Sequence, residues 1–239
     1  MSRFSKREKI DSSIVFYPTT FDEIFKIIRS FKNKSSTGLD NMSSKLFKYF
    51  PDKIINCFVH IFNLSMLQGK FIENFKHAKV VPIHKGKDKY EKENYRPVSL
   101  LAVASKILEK IIHKRLYSFL SSNGFFYENQ YGFRKNHSTE LATSFLINKI
   151  CNAFENNLKV MSVFLDMSKA FDCVDHDILL QKMNIYGIRG NALNWFKSYL
   201  SGRTQKTVFN GTLSTNVYSL ECGVPQGSIL YMLMILYLV

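Results

Sequence analysis

The sequence predicts an α+β fold, and three observations carry that prediction. Apolar residues recur at helical spacing in several long stretches, as in Phe21, Ile24, Phe25, Ile28 and Phe31. Short runs bounded by turn residues, such as Val80 to His84 and Lys206 to Asn210, read as strands. Between them lies Val160 to Leu165, an apolar run broken only by Ser162 and ended by Asp166. Such a run suits a strand buried on both faces, although a buried helix segment has the same lack of period.

The elements follow in order. Residues 1–18 form a basic, loose lead-in. Thr20 is placed to cap a helix, with Glu23 three residues on as in a capping box, and the helix ends near Lys32. Lys32 to Asp40 is a polar, cationic loop. Ser43 or Ser44 opens a short helix stopped by Pro51, and a longer one runs from about Lys53 to Leu67 and ends at Gly69. Their aromatic stripes read as core. Pro82 puts the Val80–His84 strand at an edge or at a strand end. A basic turn through Lys85, Lys87 and Lys89 leads to a return strand from Asn94 to Leu101.

Ala104 to Phe119 reads as an amphipathic helix, with Ile107, Leu108, Ile111, Ile112, Leu116 and Phe119 on one side. Lys106, Lys110, Lys114 and Arg115 fall mostly on the other. Ser138 or Thr139 caps a helix that runs to about Phe154. Asp175 or Asp177 caps the helix from Ile178 to Met183. Asn191 to Leu200 is another, packed through Leu193, Phe196 and Leu200, with Trp195 flanking them. Lys206 to Asn210, an Asn210-Gly211 turn and Val217 to Cys222 make a hairpin. Gly223-Val224-Pro225-Gln226-Gly227-Ser228 is a tight loop whose glycines let backbone approach a neighbour closely.

Composition narrows the function. The 239 residues carry 33 Lys+Arg against 19 Asp+Glu, a net charge of +14, which points to a polyanionic partner, nucleic acid before anionic membrane. The four cysteines form no C-x-x-C pair, so a disulfide framework or zinc finger is not indicated and a reducing compartment fits. The six histidines show no metalloprotease spacing. The polar, basic start is no secretory signal, and the eleven-residue apolar run from Ile229 to Val239 is short of the ~20 residues a membrane span needs. The chain is therefore expected inside the cell, in cytoplasm and nucleus, without a membrane.

The chemistry is sought at Asp166. An acid ending an apolar run is costly to bury without a partner. At the carboxyl end of a buried strand it can face a crevice, where layered α/β structures bind ligands. Hard cations such as Mg²⁺ are held there by one or two carboxylates and substrate phosphates. This suggests metal-assisted phosphoryl or nucleotidyl transfer, with Asp166 as first ligand. Asp172 divides evenly between a cap or turn and a site role. In the basic turn, Lys85 and Lys87 read as a charged hairpin tip or as a finger closing on a triphosphate, and the planar fork of Arg96 suits phosphate oxygens.

Four ordered signatures then carry a resemblance: YRPVSLL, QYGFRKNHST, LDMSKAFDCVDHDILLQKM and GVPQGS. Together they resemble reverse transcriptases of non-LTR retrotransposons, of the jockey-like kind. The third is similar to motif A, with Asp166, Phe171 and Asp172 matching an acid, four residues, then Phe-Asp. The fourth is similar to motif B.

The resemblance implies a right-hand polymerase fold, with fingers and a fingers-to-palm region over residues 19–159 and part of a palm over 160–239. It implies RNA-directed DNA polymerase activity with Mg²⁺ or Mn²⁺, an RNA template, a DNA primer and a dNTP. Asp166 and the carbonyl of Met167 would be metal ligands. Phe171 would lie under the nucleotide sugar and disfavour a 2′-hydroxyl. Lys85 and Arg96 would contact the triphosphate. Gln226 and Gly227 would pack at the nucleotide and template base, and Lys32, Lys34 and Arg134 would lie along the template.

The pattern departs after Ile229-Leu230, where the family continues with Gly-Pro and this chain has Tyr231-Met232-Leu233. No hairpin with the paired aspartates of motif C follows before Val239. Two-metal transfer shares cations roughly 3.5–4 Å apart among acids of separate segments. The chain alone is therefore expected to extend primers poorly and to leave apolar palm surface exposed. A non-catalytic nucleic-acid-binding remnant of a decayed element is the alternative. An intron-maturase-like splicing factor shares the fold.

Overall fold

A computed structural model describes residues 9–86, 88–132, 134–166 and 172–230. The beginning of the lead-in, Lys87, Phe133 and the end of the Ile229–Val239 run lie outside them. The architecture is mixed, as expected: seven helices and a five-stranded sheet among the described residues.

Local sequence explains most helix ends. In α1 (Phe21–Ser30) the Thr20 side chain accepts from the Glu23 N–H, and in α2 (Ser44–Phe47) Ser43 accepts from Leu46. Pro51 precedes α3 (Asp52–Gln68), which Gly69 closes in the left-handed region. The next helix, α4 (Val103–Ser122), is the longest. Ser138 caps α5 (Thr139–Glu155) and Asp175 caps α6 (His176–Ile185); α7 (Gly190–Leu200) follows. No described helix is long and apolar enough to cross a membrane.

The sheet runs β2 (Tyr95–Leu100), β1 (His77–His84), β3 (Arg203–Phe209) and β4 (Thr212–Leu213), with β5 (Tyr218–Leu220) also on β3. β1 and β2 are antiparallel, β1 and β3 parallel. β3 covers β1 only over His77–Val80, so Pro82 sits where the strand has a free side. There it faces Pro97 across the ladder, at a pair where neither residue has an N–H to offer. Asn210 and Gly211, both at positive φ, turn β3 into β4.

The helices share one core. α1, α3, α4, α6 and α7 meet around Ile24, Phe62, Ile111, Met183 and Trp195. Trp195 is not a flanking residue but a fully buried centre. Its indole N–H donates to Ser65 Oγ at 3.0 Å, Phe71 meets it edge-on at 5.3 Å, and Tyr199 stacks on it at 5.7 Å.

Three expectations need correction. The lead-in is held over the described residues from Lys9 onward. Ile14 is buried, its N–H donates to Gly187 O, and Phe16 meets Trp195 edge-on. Arg115 does not belong to a solvated basic face. It is buried and donates to Tyr17 O, Pro18 O and Glu23 Oε2, tying α4 to α1 and to the lead-in.

The third correction concerns Val160 to Leu165, which is neither buried nor a strand. It is irregular, with Phe164 81% and Leu165 91% exposed. A strand needs a neighbour for its backbone hydrogen bonds and its faces. Among the described residues no strand lies beside this run. The preceding α5 buries no residue and exposes Leu141, Phe145, Leu146 and Ile147.

The Arg115–Glu23 contact has a consequence for pH. Burial pushes the Glu23 carboxyl up, but hydrogen bonds from Arg115, Thr19 and Lys114, with the Arg115 charge, outweigh it and leave it below the ordinary value. A depressed carboxyl contributes stability above its unfolded pKa of about 4.3 and loses it as pH falls through the folded value. Glu23→Gln is expected to lower stability by about 1.5–3 kcal/mol at neutral pH. In urea melts the gap to wild type should narrow as pH falls below the unfolded value and through the depressed folded one. A gap that does not depend on pH would contradict the ion pair.

Candidate functional site

Three segments distant in sequence converge beside the sheet: β2, the stretch from Asp172 to His176, and the GVPQGS loop. The loop is tied to each. Ser99 N–H donates to Gln226 O at 2.7 Å, and Gly223 N–H to Val174 O at 2.8 Å. The His176 ring N–H donates to Gly223 O at 2.6 Å, and Cys222 Sγ reaches Asp172 O at 3.4 Å. Gly227 has φ +135°, and an added Cβ there would lie 2.4 Å from Ser99 O. What stands against Gly227 is thus strand β2, and only glycine permits that approach.

These ties line a cavity of about 440 Å³ bounded by Pro97, Ser99, Asp172, Gln205 and Gln226 among others. Gln226 Nε2 donates to Asp172 Oδ1 at 3.2 Å, so a carboxylate and an amide present polar groups to one space. Arg96 is exposed on the same strand as Ser99, opposite Ile83. Lys85 lies at the head of the adjoining turn, and its ammonium donates to Glu93 O at 3.1 Å. Gln226 thus lines the cavity, whereas Lys85, Arg96 and Gly227 are not among its lining residues, and strand alternation sets Arg96 on the face of β2 opposite Pro97 and Ser99.

Other candidates lie elsewhere. Asp166 ends the exposed irregular run and is not among the residues lining this cavity. Met167 and Phe171 fall outside the described residues. Lys32 and Lys34 border a second cavity of about 280 Å³, with Ser36, Ser44 and Lys106. Burial there lowers the Lys106 ammonium; nearby Glu109 opposes this and Lys34 adds to it. Arg134 folds onto its own loop, donating to Tyr127 O at 2.6 Å and lying 5.7 Å from the Phe126 ring centre.

A divalent cation finds one open oxygen donor at Asp166, but no group of three His, Cys, Asp or Glu gathers among the described residues. They do not by themselves make a metal centre.

Sequence reasoning missed Ser99, His176 and Glu109. The first two act through backbone contacts that no residue pattern reveals. Glu109 had a signal: Ser105, Glu109, Ile112 and Leu116 share one helix face, which puts an acid on the apolar stripe.

Residues 83–234 match the family model described as reverse transcriptase (RNA-dependent DNA polymerase). The chain is similar to the probable RNA-directed DNA polymerase from transposon BS of Drosophila melanogaster, 33% identical over 92% of this chain and 24% of that protein. It is also similar to the RNA-directed DNA polymerase from mobile element jockey of the same organism, 31% identical over 91% of this chain and 24% of that protein. A Xenopus laevis transposon protein of 149 kDa is 27% identical over 88% of this chain and 16% of its own length. The chain thus spans about a quarter of the length of the two Drosophila relatives.

Proposed function

Because this chain belongs to the reverse transcriptase (RNA-dependent DNA polymerase) family, as a jockey-like non-LTR retrotransposon domain, we propose that it serves RNA-directed DNA synthesis inside the cell. In this reading residues 19–159 form the fingers and fingers-to-palm region, and residues from 160 onward the palm. The substrates are an RNA template, a DNA primer and a dNTP; the primer 3′-hydroxyl gives up its proton to solvent and attacks the α-phosphate, the bond to the β-phosphate breaks, and pyrophosphate leaves. Two divalent cations, Mg²⁺ or Mn²⁺, supply activation of that oxygen and charge neutralisation when bound. Asp166 and the Met167 carbonyl are the proposed protein ligands, and Phe171 the proposed sugar gate.

The observation that carries the reading is the meeting of Ser99, Asp172 and Gln226 at one cavity. Arg96, with its bidentate fork, and Lys85 are the proposed triphosphate contacts. Gln226, on the cavity wall, and the adjoining Gly227, packed against Ser99, are the proposed residues beside the base and sugar. Lys32, Lys34 and Arg134, within an overall charge of +14, are the proposed contacts to nucleic acid.

The exposed state of the Asp166 segment favours poor primer extension by the 239-residue chain, and it keeps the non-catalytic RNA-binding reading as second. One titration separates the two. A labelled dNTP with Mg²⁺ is added to the chain on a primed RNA template, and binding and extension are both read. The polymerase reading expects saturable dNTP binding, weakened about 10–100-fold in Arg96→Ala by loss of charge-assisted hydrogen bonds. Salt-sensitive RNA binding with no dNTP binding would sink that reading and leave the binding remnant. Vigorous extension that disappears in Asp166→Ala would overturn the expected inactivity alone.

A further inference from the structure

Glu109 lies fully buried on α4, at the same level as the end of the GVPQGS loop. Its two oxygens are used. Oε1 accepts from Ser105 Oγ at 3.1 Å, while Oε2 accepts from Ser228 Oγ at 2.9 Å and from the Ile229 N–H at 2.9 Å. Because the Ser228 hydroxyl donates to Glu109, the Tyr199 hydroxyl donates to Ser228 Oγ, at 2.6 Å. The chain of donors therefore runs from α7 through the loop to α4.

Arg203, also buried, adds a positive charge. Its Nη1 donates to Tyr199 O at 3.0 Å, and its guanidinium lies over the Tyr199 ring. Burial pushes the Glu109 carboxyl up, and although the Ile229 N–H, Arg203, Ser228 and Ser105 pull it down, it stays above the ordinary carboxylate value. Lys106 is the other charged side chain that senses it. A buried carboxylate without donors would be very costly, and here donors meet both oxygens.

The geometry matters because of where Ser228 and Ile229 stand. They directly follow Gln226 and Gly227. On the other side of that pair, Gln226 O is held by Ser99 N–H. The loop is thus clamped from two elements, by the backbone of β2 before Gly227 and by one acid of α4 after it. The acid does not line the cavity and touches no substrate position.

We propose that Glu109 is a positioning residue, which fixes the end of the GVPQGS loop so that Gln226 keeps its place against Asp172 at the cavity wall. The functional part of this inference rests on the nucleotide-binding reading of that cavity, while the loop-holding part does not.

The test follows hydrogen exchange by mass spectrometry in the 239-residue chain. Wild type is compared with Glu109→Ala, Glu109→Gln and Leu116→Ala, the last a buried apolar truncation on the same helix. Exchange over residues 223–229 should rise about tenfold or more in Glu109→Ala, as expected for losing charge-assisted hydrogen bonds. Glu109→Gln keeps one acceptor oxygen and should restore most of the protection. In Leu116→Ala, exchange should rise across the core without singling out the loop. Should Glu109→Ala fail to fold, a local rise of a few-fold confined to the loop in Glu109→Gln carries the same meaning.

Unchanged loop exchange in both Glu109 variants overturns the proposal, and so does a loop response equal to that of Leu116→Ala. Binding of a dNTP with Mg²⁺, read on the same samples, should fall about tenfold in Glu109→Ala and hold in Leu116→Ala. If wild type binds no dNTP, the polymerase reading fails, and exchange still decides whether Glu109 holds the loop.

Discussion

Trp195→Ala is expected to cost about 3–5 kcal/mol, the range for emptying a fully buried large aromatic site. For a chain of this size that lowers the midpoint of thermal unfolding by about 6–20 °C. The effect is large because several elements lean on one ring. Phe71 and Phe196 meet it edge-on at 5.3 Å each, and Tyr199 stacks on it. Ser65 Oγ accepts from its indole N–H and donates to Lys70 O at 2.6 Å. Trp195→Phe keeps most of the volume and gives up that hydrogen bond, so it should lose about 1–2 kcal/mol. Circular dichroism melts measure both. A loss under about 1 kcal/mol for the alanine variant would mean that α3 and α7 do not pack around the indole.

The second large effect belongs to Gly227→Ala. At φ +135° the backbone is in a region that side chains rarely enter, and the new methyl would meet the Ser99 carbonyl at 2.4 Å. The backbone strain alone is worth about 1–3 kcal/mol, and Ser99 is strand backbone that cannot turn aside. The loop should leave β2, breaking the Ser99–Gln226 hydrogen bond. Binding of dNTP to the proposed cavity should drop at least about tenfold. Gly211→Ala is the control, because Gly211 is also at positive φ, +81°, but an added Cβ meets nothing within 4 Å. It should weaken the hairpin and leave dNTP binding intact. Equal behaviour of the two variants would show that the close approach to Ser99 has no part in shaping the cavity.

Both effects arise where a local pattern is completed by distant contacts, and this divides what the residues alone reveal. Thr20 was recognisable as a cap, and Ser43, Ser138 and Asp175 each as one of two neighbouring candidates, because a cap is made within four residues of chain. Asn210-Gly211 was recognisable as a turn for the same reason. The signature segments were readable too, since family resemblance is carried by contiguous residues, and they led to the reverse transcriptase family that the match over residues 83–234 shows.

Burial was another matter. Arg115 and Glu109 are charged side chains on a helix; spacing puts Glu109 on the apolar stripe, but it does not name the partner that a buried charge needs. Their partners are Glu23, 92 residues away, and Ser228, 119 residues away. Only the packing of α4 against α1 and against the GVPQGS loop decides that these charges go inside. Val160 to Leu165 shows the converse. Its apolar content announces a buried strand, but a strand is formed by its neighbour as much as by itself, and the described residues place none beside it. Residue type and short spacing thus determined the helices, the turns and the family. The meeting of Ser99, Asp172 and Gln226, and the burial of Glu109 and Arg115, were decided by the tertiary structure, because long-range contacts leave no period in the chain.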